Sequence, residues 1–335
     1  MEPQKQKKHP DFLIFLQIET EHQRQNGHLG IAKNYACATR SFTQFLTLRG
    51  KQEVPLNALS RQLIADYEAW LQTRGLCKNT TSCYLRSLQA VYHKAVRQGL
   101  TDNRHPFLGT YRGVAHTVKR AISHEDIRHL QSLDIHAALL ARGGKEGSRR
   151  LFKQERQLEL ARDLFLFCFC ARGMTFVDVA HLRKTDLSQG IISYVRRKTH
   201  QRIIVQVEPM MQQIIRRHPS TTPYLFPLLT ETDDAEHLFR QYHRAIGWYN
   251  TQLALLGQLI GGIHLTSYVS RHSWATAAYH QHIPLSVISQ SMGHDSEKTT
   301  EIYLKSLKSN LIDKANHDLL ETLFGKGGGK QRRYG

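Results

Sequence analysis

The sequence predicts a mainly α-helical protein of two domains that also carries a small β-hairpin or sheet. Three observations predict this. Four amphipathic segments in the first third each run into a glycine, at Gly27, Gly50, Gly75 and Gly99, the pattern of short helices with C-terminal stops. Further on, GIISYVRRKTHQRIIVQVEP (190–209) sets two β-branched runs around a polar turn, and the alternation of Ile203, Val205 and Val207 marks a half-buried strand. Finally, 335 residues suffice for about two domains. PFLGTYRGVAHTVKRAI (106–122), with two glycines and few large apolar side chains, reads as an extended connector between them.

The first domain is expected over residues 1–110. Its first helix (about 11–24) carries Phe12, Leu13, Phe15, Leu16 and Ile18; its second (about 30–48) carries Ile31, Tyr35, Phe42, Phe45 and Leu46. The third follows Ser60 as N-cap with Leu63, Tyr67, Trp70 and Leu71, and the fourth (about 80–98) has Leu85, Leu88, Val91, Tyr92 and Ala95. Each apolar set sits at helical spacing and is read as the core of a four-helix bundle. Lys78, Asn79 and Thr80 stand at the start of the fourth helix, where backbone N–H groups and a basic side chain suit a phosphate. An ordinary capped helix start on the surface has the same composition.

A linker over 111–122 leads to a second domain over 123–324. SHEDIRHLQSL opens it with Ser123 as N-cap and Glu125 and Asp126 in the first turn, where they suit the helix dipole. ARGGKEGSRR (141–150) reads as a polar loop. The next helix (about 152–171) becomes apolar on all sides in LFLFCFCA and is read as buried. Residues 210–262 carry further helical patterns. Thr266 or Ser267 is expected to cap a helix reaching about His280, and Pro284 to begin a short one that Gly293 ends. A last amphipathic helix with Leu319, Leu320, Leu323 and Phe324 leads into a flexible basic tail, 325–335.

Lys and Arg number 46 against 28 Asp and Glu, a formal charge of +18, which suits a polyanion and makes nucleic acid the first candidate partner. LFLFCFCA is too short to span a bilayer, and the basic start of the chain has no apolar segment of the signal-peptide type, so no membrane association is expected. The five cysteines lack metal-site spacing and fit a reducing cytoplasm, with Cys168 and Cys170 read as core. The 20 histidines form no HExxH or similar pattern, so neither a metal nor another cofactor is expected.

The chemistry is concentrated in HLTSYVSRHSWATAAYHQHIPLSVISQSMGHDSEKTTEIYLKSL (264–307). It holds the pair Arg271-His272, the pair Gly293-His294, and Tyr303 nine residues beyond that histidine. Spaced cations, an imidazole that can handle a proton and a lone phenol suggest a site for a phosphodiester, the phenol as nucleophile and the cations on the phosphate oxygens. RHSWAT and MGHDSEKTTEIY closely resemble the C-terminal signature of the tyrosine site-specific recombinases, the phage-integrase family. LCKNTTSCYLRSLQAVYHKAVRQGL, followed by NRHPF, resembles the end of that family's SAM-like core-binding domain, and CARGMTFVDVAHLRKTDL its first arginine box. The resemblance covers most of the chain.

It implies a SAM-like four-helix core-binding domain, an α+β catalytic domain, and a connector that lets the two close around a duplex. Tyr303 would be the nucleophile, Arg271 a phosphate ligand, and His294 a hydrogen-bond donor to phosphate and proton acceptor. Lys198, on the hairpin, would be the general acid for the leaving 5′-oxygen, with Arg196, Arg197 and Arg202 as phosphate contacts or solvated side chains. Two positions depart from the pattern. Gly173, Met174 and Asp178 match the first box, but its arginine slot holds Thr175 and Arg172 stands three residues earlier. In a helix the two would share a face, so Arg172 takes the phosphate role and Asp178 holds the local structure. This displaced RGM form resembles a subgroup of bacterial mobile-element integrases and invertases. Tyr268 occupies a slot that is usually histidine and is read as an auxiliary group.

What the resemblance implies is a recombinase that cuts and rejoins double-stranded DNA at specific sites through a 3′-phosphotyrosine, without metal or ATP, for integration, excision or inversion. It further implies a homotetramer on two duplexes, in the cytoplasm with the nucleoid. Two alternatives stand beside it: a type IB topoisomerase-like nicking-closing enzyme, and a non-catalytic DNA-binding accessory protein.

Overall fold

A computed structural model describes residues 10–115, 120–293, 296, 297, 300 and 301. His294, Tyr303, the expected last helix and the tail lie outside the described residues. The chain forms two compact units, Met1–Thr117 and Val118–Gly335.

Unit one contains α1 (Phe12–Gln25), α2 (Leu29–Leu48), α3 (Arg61–Thr73) and α4 (Lys78–Arg97). Polar caps set where the helices start. Asp11 accepts the Ile14 N–H at 3.0 Å, and Ser60 accepts the Leu63 N–H at 3.1 Å. At the other end of α2, Gly50 takes a φ of +69 and donates its N–H to the Thr47 carbonyl, a reversal open to a residue without a Cβ. Phe12, Leu16, Phe42, Leu46, Ile64, Tyr67, Leu85, Leu88 and Val91 are buried among the four helices. Phe42 packs edge-on against Tyr67 at 5.0 Å. The connector reads as extended in sequence, but its described first part folds into turns. The Asn79 and Ser82 side chains hold Ala115 and Gly113 there.

Unit two opens with α5 (His124–Ser132), whose Ser123 and Asp126 form a reciprocal capping box. A short α6 (Ile135–Ala141), capped by Asp134, follows where the sequence showed no separate helix signal. Ser148 caps α7 (Arg149–Cys170), which therefore begins inside the stretch read as loop. Next come α8 (Phe176–His181), then β1 (Leu187–Ser188), β2 (Ile191–Val195) and β3 (Arg202–Gln206) in an antiparallel sheet of that order. The register pairs Ile192 with Val205 and Tyr194 with Ile203, so Ile192, Ile203 and Val205 are buried on one face while Ile191, Val195 and Ile204 are exposed on the other. The helices α9 (Pro209–Arg217), α10 (Ala235–Leu259), α11 (Val269–His280) and α12 (Leu285–Ser291) complete the described part. The core surrounds α7, with Phe167 edge-on to Phe226 at 4.9 Å and Phe176 stacked on Tyr249 at 4.4 Å. Cys168 is buried there and Cys170 half-buried. No described helix is long and apolar enough to cross a membrane.

One ionic cluster is buried in this core. The Asp163 carboxylate on α7 accepts from Arg162 (3.1 Å), Arg217 (2.6 Å) and His218 (2.8 Å), joining α7 to the end of α9. Burial opposes ionisation of Asp163, but the His218 hydrogen bond and the Arg162 and Arg217 charges outweigh it and hold the carboxyl below its ordinary value. A carboxyl depressed on folding adds stability above its unfolded pKa, and that stability is lost as pH falls through the folded value. Asp163→Asn is expected to lower the stability of unit two by about 3–5 kcal/mol at pH 7, since it leaves the largely buried Arg162 and His218 without their carboxylate. In urea unfolding the variant should also lose less stability than the wild type as pH drops below about 4. Equal midpoints at pH 7 would contradict this role.

Candidate active site

The first wall of the site is the turn between α7 and α8. Here α7 ends because the N–H groups of Ala171, Gly173 and Met174 donate back to the carbonyls of Phe167 (2.8 Å), Phe169 (3.4 Å) and Cys168 (3.0 Å). Arg172 and Gly173 both take left-handed backbone, with φ of +57 and +70. The helical register expected between Arg172 and Thr175 is thus not present. Arg172 is half-buried on a reversing turn, and Thr175 is the N-cap residue of α8. Thr175 is buried and donates its hydroxyl to Asp178 Oδ2 at 2.6 Å. The other Asp178 oxygen accepts the backbone N–H of Arg197 at 3.0 Å, so this buried carboxyl ties the turn to the hairpin.

The hairpin tip is closed by two backbone bonds of 2.8 Å, Arg196 N–H to the Gln201 carbonyl and His200 N–H to the Arg196 carbonyl. Lys198 is exposed at the tip, with Arg197 beside it and Arg202 at the start of β3, both also exposed. Arg196 departs from the expectation of a phosphate contact or solvated side chain. It is 4% exposed, and its guanidinium donates to the Gly293 carbonyl and, at 3.4 Å, to the Thr199 hydroxyl. The Thr199 hydroxyl donates to the same Gly293 carbonyl at 3.2 Å.

The third wall is the start of α11. Neither Thr266 nor Ser267 caps it. The Thr266 carbonyl accepts the Val269 N–H in a turn, the Ser267 N–H is taken by Asn250 Oδ1 at 2.9 Å, and Tyr268 becomes the N-cap residue. Tyr268 is 48% exposed, and its ring centroid lies 5.9 Å from that of His272. Arg271 is 2% exposed and bridges two carbonyls, Nη1 to Gly173 at 2.6 Å and Nη2 to Met292 at 2.7 Å. A Cβ on Gly173 would lie 3.0 Å from Arg271 Cα, so the turn fits closely against this arginine.

Met292 and Gly293, at the end of α12, form the fourth wall, and their successive carbonyls take Arg271 and Arg196. At φ +62, a Cβ on Gly293 would stand 2.8 Å from Ile203 Cδ1, 3.1 Å from Arg196 Cδ and 3.2 Å from Gln201 Oε1. Gly293→Ala is expected to lower the stability of unit two by about 1–3 kcal/mol, from left-handed backbone strain and overpacking. Thermal unfolding checks this, and an unchanged midpoint would show that the turn can yield. The turn from α7 to α8, the hairpin tip, α11 and the end of α12 are thus locked together. They carry Arg172, Lys198 and Arg271, and His294 is the next residue after Gly293 in the chain. Tyr194, on β2 near Asp178, Arg271 and Arg196, has its phenol pushed up by burial, so it stays protonated beneath the site.

The phage integrase SAM-like domain family matches residues 11–112 and the phage integrase family matches residues 151–310. The chain belongs to the phage integrase family. As a phage integrase family member it is a tyrosine recombinase, an enzyme of site-specific recombination that cuts and rejoins DNA. It is similar to tyrosine recombinase XerA of Pyrococcus furiosus, 22% identical over 294 residues that cover 80% of this chain and 98% of that protein. It is also 23% identical over 301 residues to tyrosine recombinase XerD of Pseudomonas aeruginosa, covering 85% of this chain and 90% of the other. Its fold is similar to that of a lambda integrase tetramer bound to a Holliday junction (TM-score 0.59, 14% identity, 89% of this chain and 78% of that one). The fold of XerH recombinase bound to its difH substrate before cleavage is similar too (TM-score 0.57, 16% identity, 89% and 83%).

In the SAM-like unit of this phage integrase family member, Lys78 is exposed and Thr80 half-buried at the start of α4. Asn79, read with them as a DNA contact, is engaged within the unit. Its amide donates to the Ala115 carbonyl at 3.0 Å and accepts the Ala115 N–H at 2.7 Å, mimicking a strand neighbour for the connector. No local signal separates this use of Asn79 from a phosphate contact, because its partner lies 36 residues away. The same holds for Arg196 and Thr199, which reading by motif did not connect to Gly293. The signal available in sequence was the glycine at 293 itself, which the motif treated only as the neighbour of a histidine.

Proposed function

We propose that the chain recombines double-stranded DNA at specific sites by transesterification, with Tyr303 attacking the scissile phosphate. The P–O5′ bond breaks, a 3′-phosphotyrosine forms, and the 5′-oxygen leaves as a hydroxyl with a proton from Lys198. His294 accepts the phenol proton and donates a hydrogen bond to phosphate, Arg271 and Arg172 hold the non-bridging oxygens, and Tyr268 adds a further donor. The phosphotyrosine keeps the energy of the broken ester, so rejoining by the free 5′-hydroxyl calls on neither ATP nor metal.

The observation that supports this reading is the locking of four separate segments around Arg271. Its two carbonyl bonds fix the guanidinium before substrate arrives, the preorganisation that an oxyanion-type donor needs. Lys78 and Thr80 on α4, with Arg197 and Arg202 on the hairpin, are assigned to phosphates of the duplex. Four protomers on two duplexes follow from an exchange that joins four strands, in the cytoplasm where the nucleoid lies. The run Arg172-Gly173-Met174 supports grouping the chain with integrases of the RGM form.

Duplexes selected for tight binding from a randomised pool provide the test substrate. A plasmid with two copies of the selected site separates the readings. Recombinant circles support the recombinase, relaxation alone favours nicking and closing, and a gel shift with neither favours a non-catalytic binder.

A further inference from the structure

Arg196 is a buried arginine that the reaction chemistry does not use. Among the described residues its guanidinium is directed at one structural junction: the Gly293 carbonyl and the Thr199 hydroxyl, which itself donates to Gly293. Arg196 and Thr199 flank Arg197 and Lys198 on the tip, and Gly293 immediately precedes His294. From the opposite side the Arg197 backbone N–H donates to the Asp178 carboxylate at 3.0 Å. A charged donor on a carbonyl is about twice as strong as a neutral one, and a hairpin loop without such bracing is mobile. We propose that Arg196 is a positioning residue for strand cleavage. It pins the hairpin tip to the Met292–Gly293 turn through Gly293 and Thr199, and so delivers Lys198 to the 5′-oxygen.

This assignment rests on the transesterification reading, and it makes a claim that a purely structural role does not. If Arg196 acts through Lys198, its loss matters only while the leaving group needs a proton. In a substrate with sulfur at the bridging 5′ position, the P–S bond breaks and the electron pair leaves as a thiolate, which needs no proton at neutral pH. The experiment measures single-turnover formation of the covalent adduct on ordinary and 5′-bridging phosphorothiolate suicide duplexes of the selected site. Wild type, Arg196→Ala, Thr199→Val and Lys198→Ala are compared, and duplex affinity is measured in parallel. The expected result is a loss of about 10²-fold for Arg196→Ala on the oxygen substrate, a smaller loss for Thr199→Val, and rates near wild type for both on the sulfur substrate. Lys198→Ala should follow the same pattern, and the affinities should be unchanged.

Arg196→Ala rates that match wild type on the oxygen substrate would overturn the assignment, as would equal losses on both substrates. Thr199→Val removes one hydroxyl and little volume, so it carries the test even where Arg196→Ala destabilises the fold. A rescue by sulfur seen in Thr199→Val alone then supports the assignment, and a Thr199→Val defect without rescue overturns it. A wild type that forms no adduct on either substrate would overturn the transesterification reading and this assignment with it.

Discussion

Arg271→Ala is expected to slow adduct formation by at least about 10²–10³-fold, the usual cost of removing one preorganised donor from a developing oxyanion. It is also expected to weaken the fold of unit two. Arg271 is buried, and its two terminal nitrogens serve the Gly173 and Met292 carbonyls. Truncation leaves both acceptors buried without these bonds, at about 1–3 kcal/mol each. The separate effects can be resolved with Arg271→Lys. Lysine keeps the charge but replaces a planar fork by a single point donor, which cannot reproduce the bidentate bridge. It should therefore recover part of the stability and little of the rate. Urea unfolding and single-turnover cleavage, run on both variants, check the two halves. Near-wild-type cleavage by Arg271→Ala would remove this residue from the phosphate site.

Tyr303→Phe is expected to abolish the adduct altogether while leaving duplex affinity within about twofold of wild type. The change removes one oxygen, the atom that forms the new ester, and no other group can replace a missing nucleophile by electrostatics alone. The other phenols considered in unit two are poorly suited to the reaction. Burial pushes the Tyr194 and Tyr249 phenols up, which keeps them protonated and away from solvent. Tyr279 lies near the end of α11 and lacks a Gly-His pair before it. Tyr268 is exposed next to Arg271, so it is the phenol to exclude experimentally. A filter-binding curve alongside the denaturing gel separates loss of chemistry from loss of binding.

The helices were legible because their signals are local. Ser60 and Ser123 cap where a hydroxyl before an apolar run should cap, and the glycine after α2 stands at the left-handed turn that ends it. The hairpin was legible from the alternation in β3. The short α6 was not, because it lies between two stronger helices and offers only seven residues of pattern. The site was legible as a set of motifs but not as a set of contacts. Helical spacing suggested that Arg172 could stand in for Thr175 along one face, yet two left-handed residues intervene at the end of α7. Arg196 and Asn79 looked like phosphate ligands because a charge or an amide at a tip or helix start usually faces solvent. Their partners, Gly293 and Ala115, are 97 and 36 residues away, a distance over which no periodicity operates.

The most direct test of the central claim is to identify the residue joined to DNA. Adduct trapped on a suicide duplex of the selected site would be digested with trypsin and nuclease, and the peptide carrying the residual nucleotide sequenced by mass spectrometry. The account predicts a single modified residue, Tyr303, with the phosphate bound to the 3′ side of the cut. Modification of Tyr268, Tyr279 or any residue other than Tyr303 would contradict it, as would a phosphate left on the 5′ side.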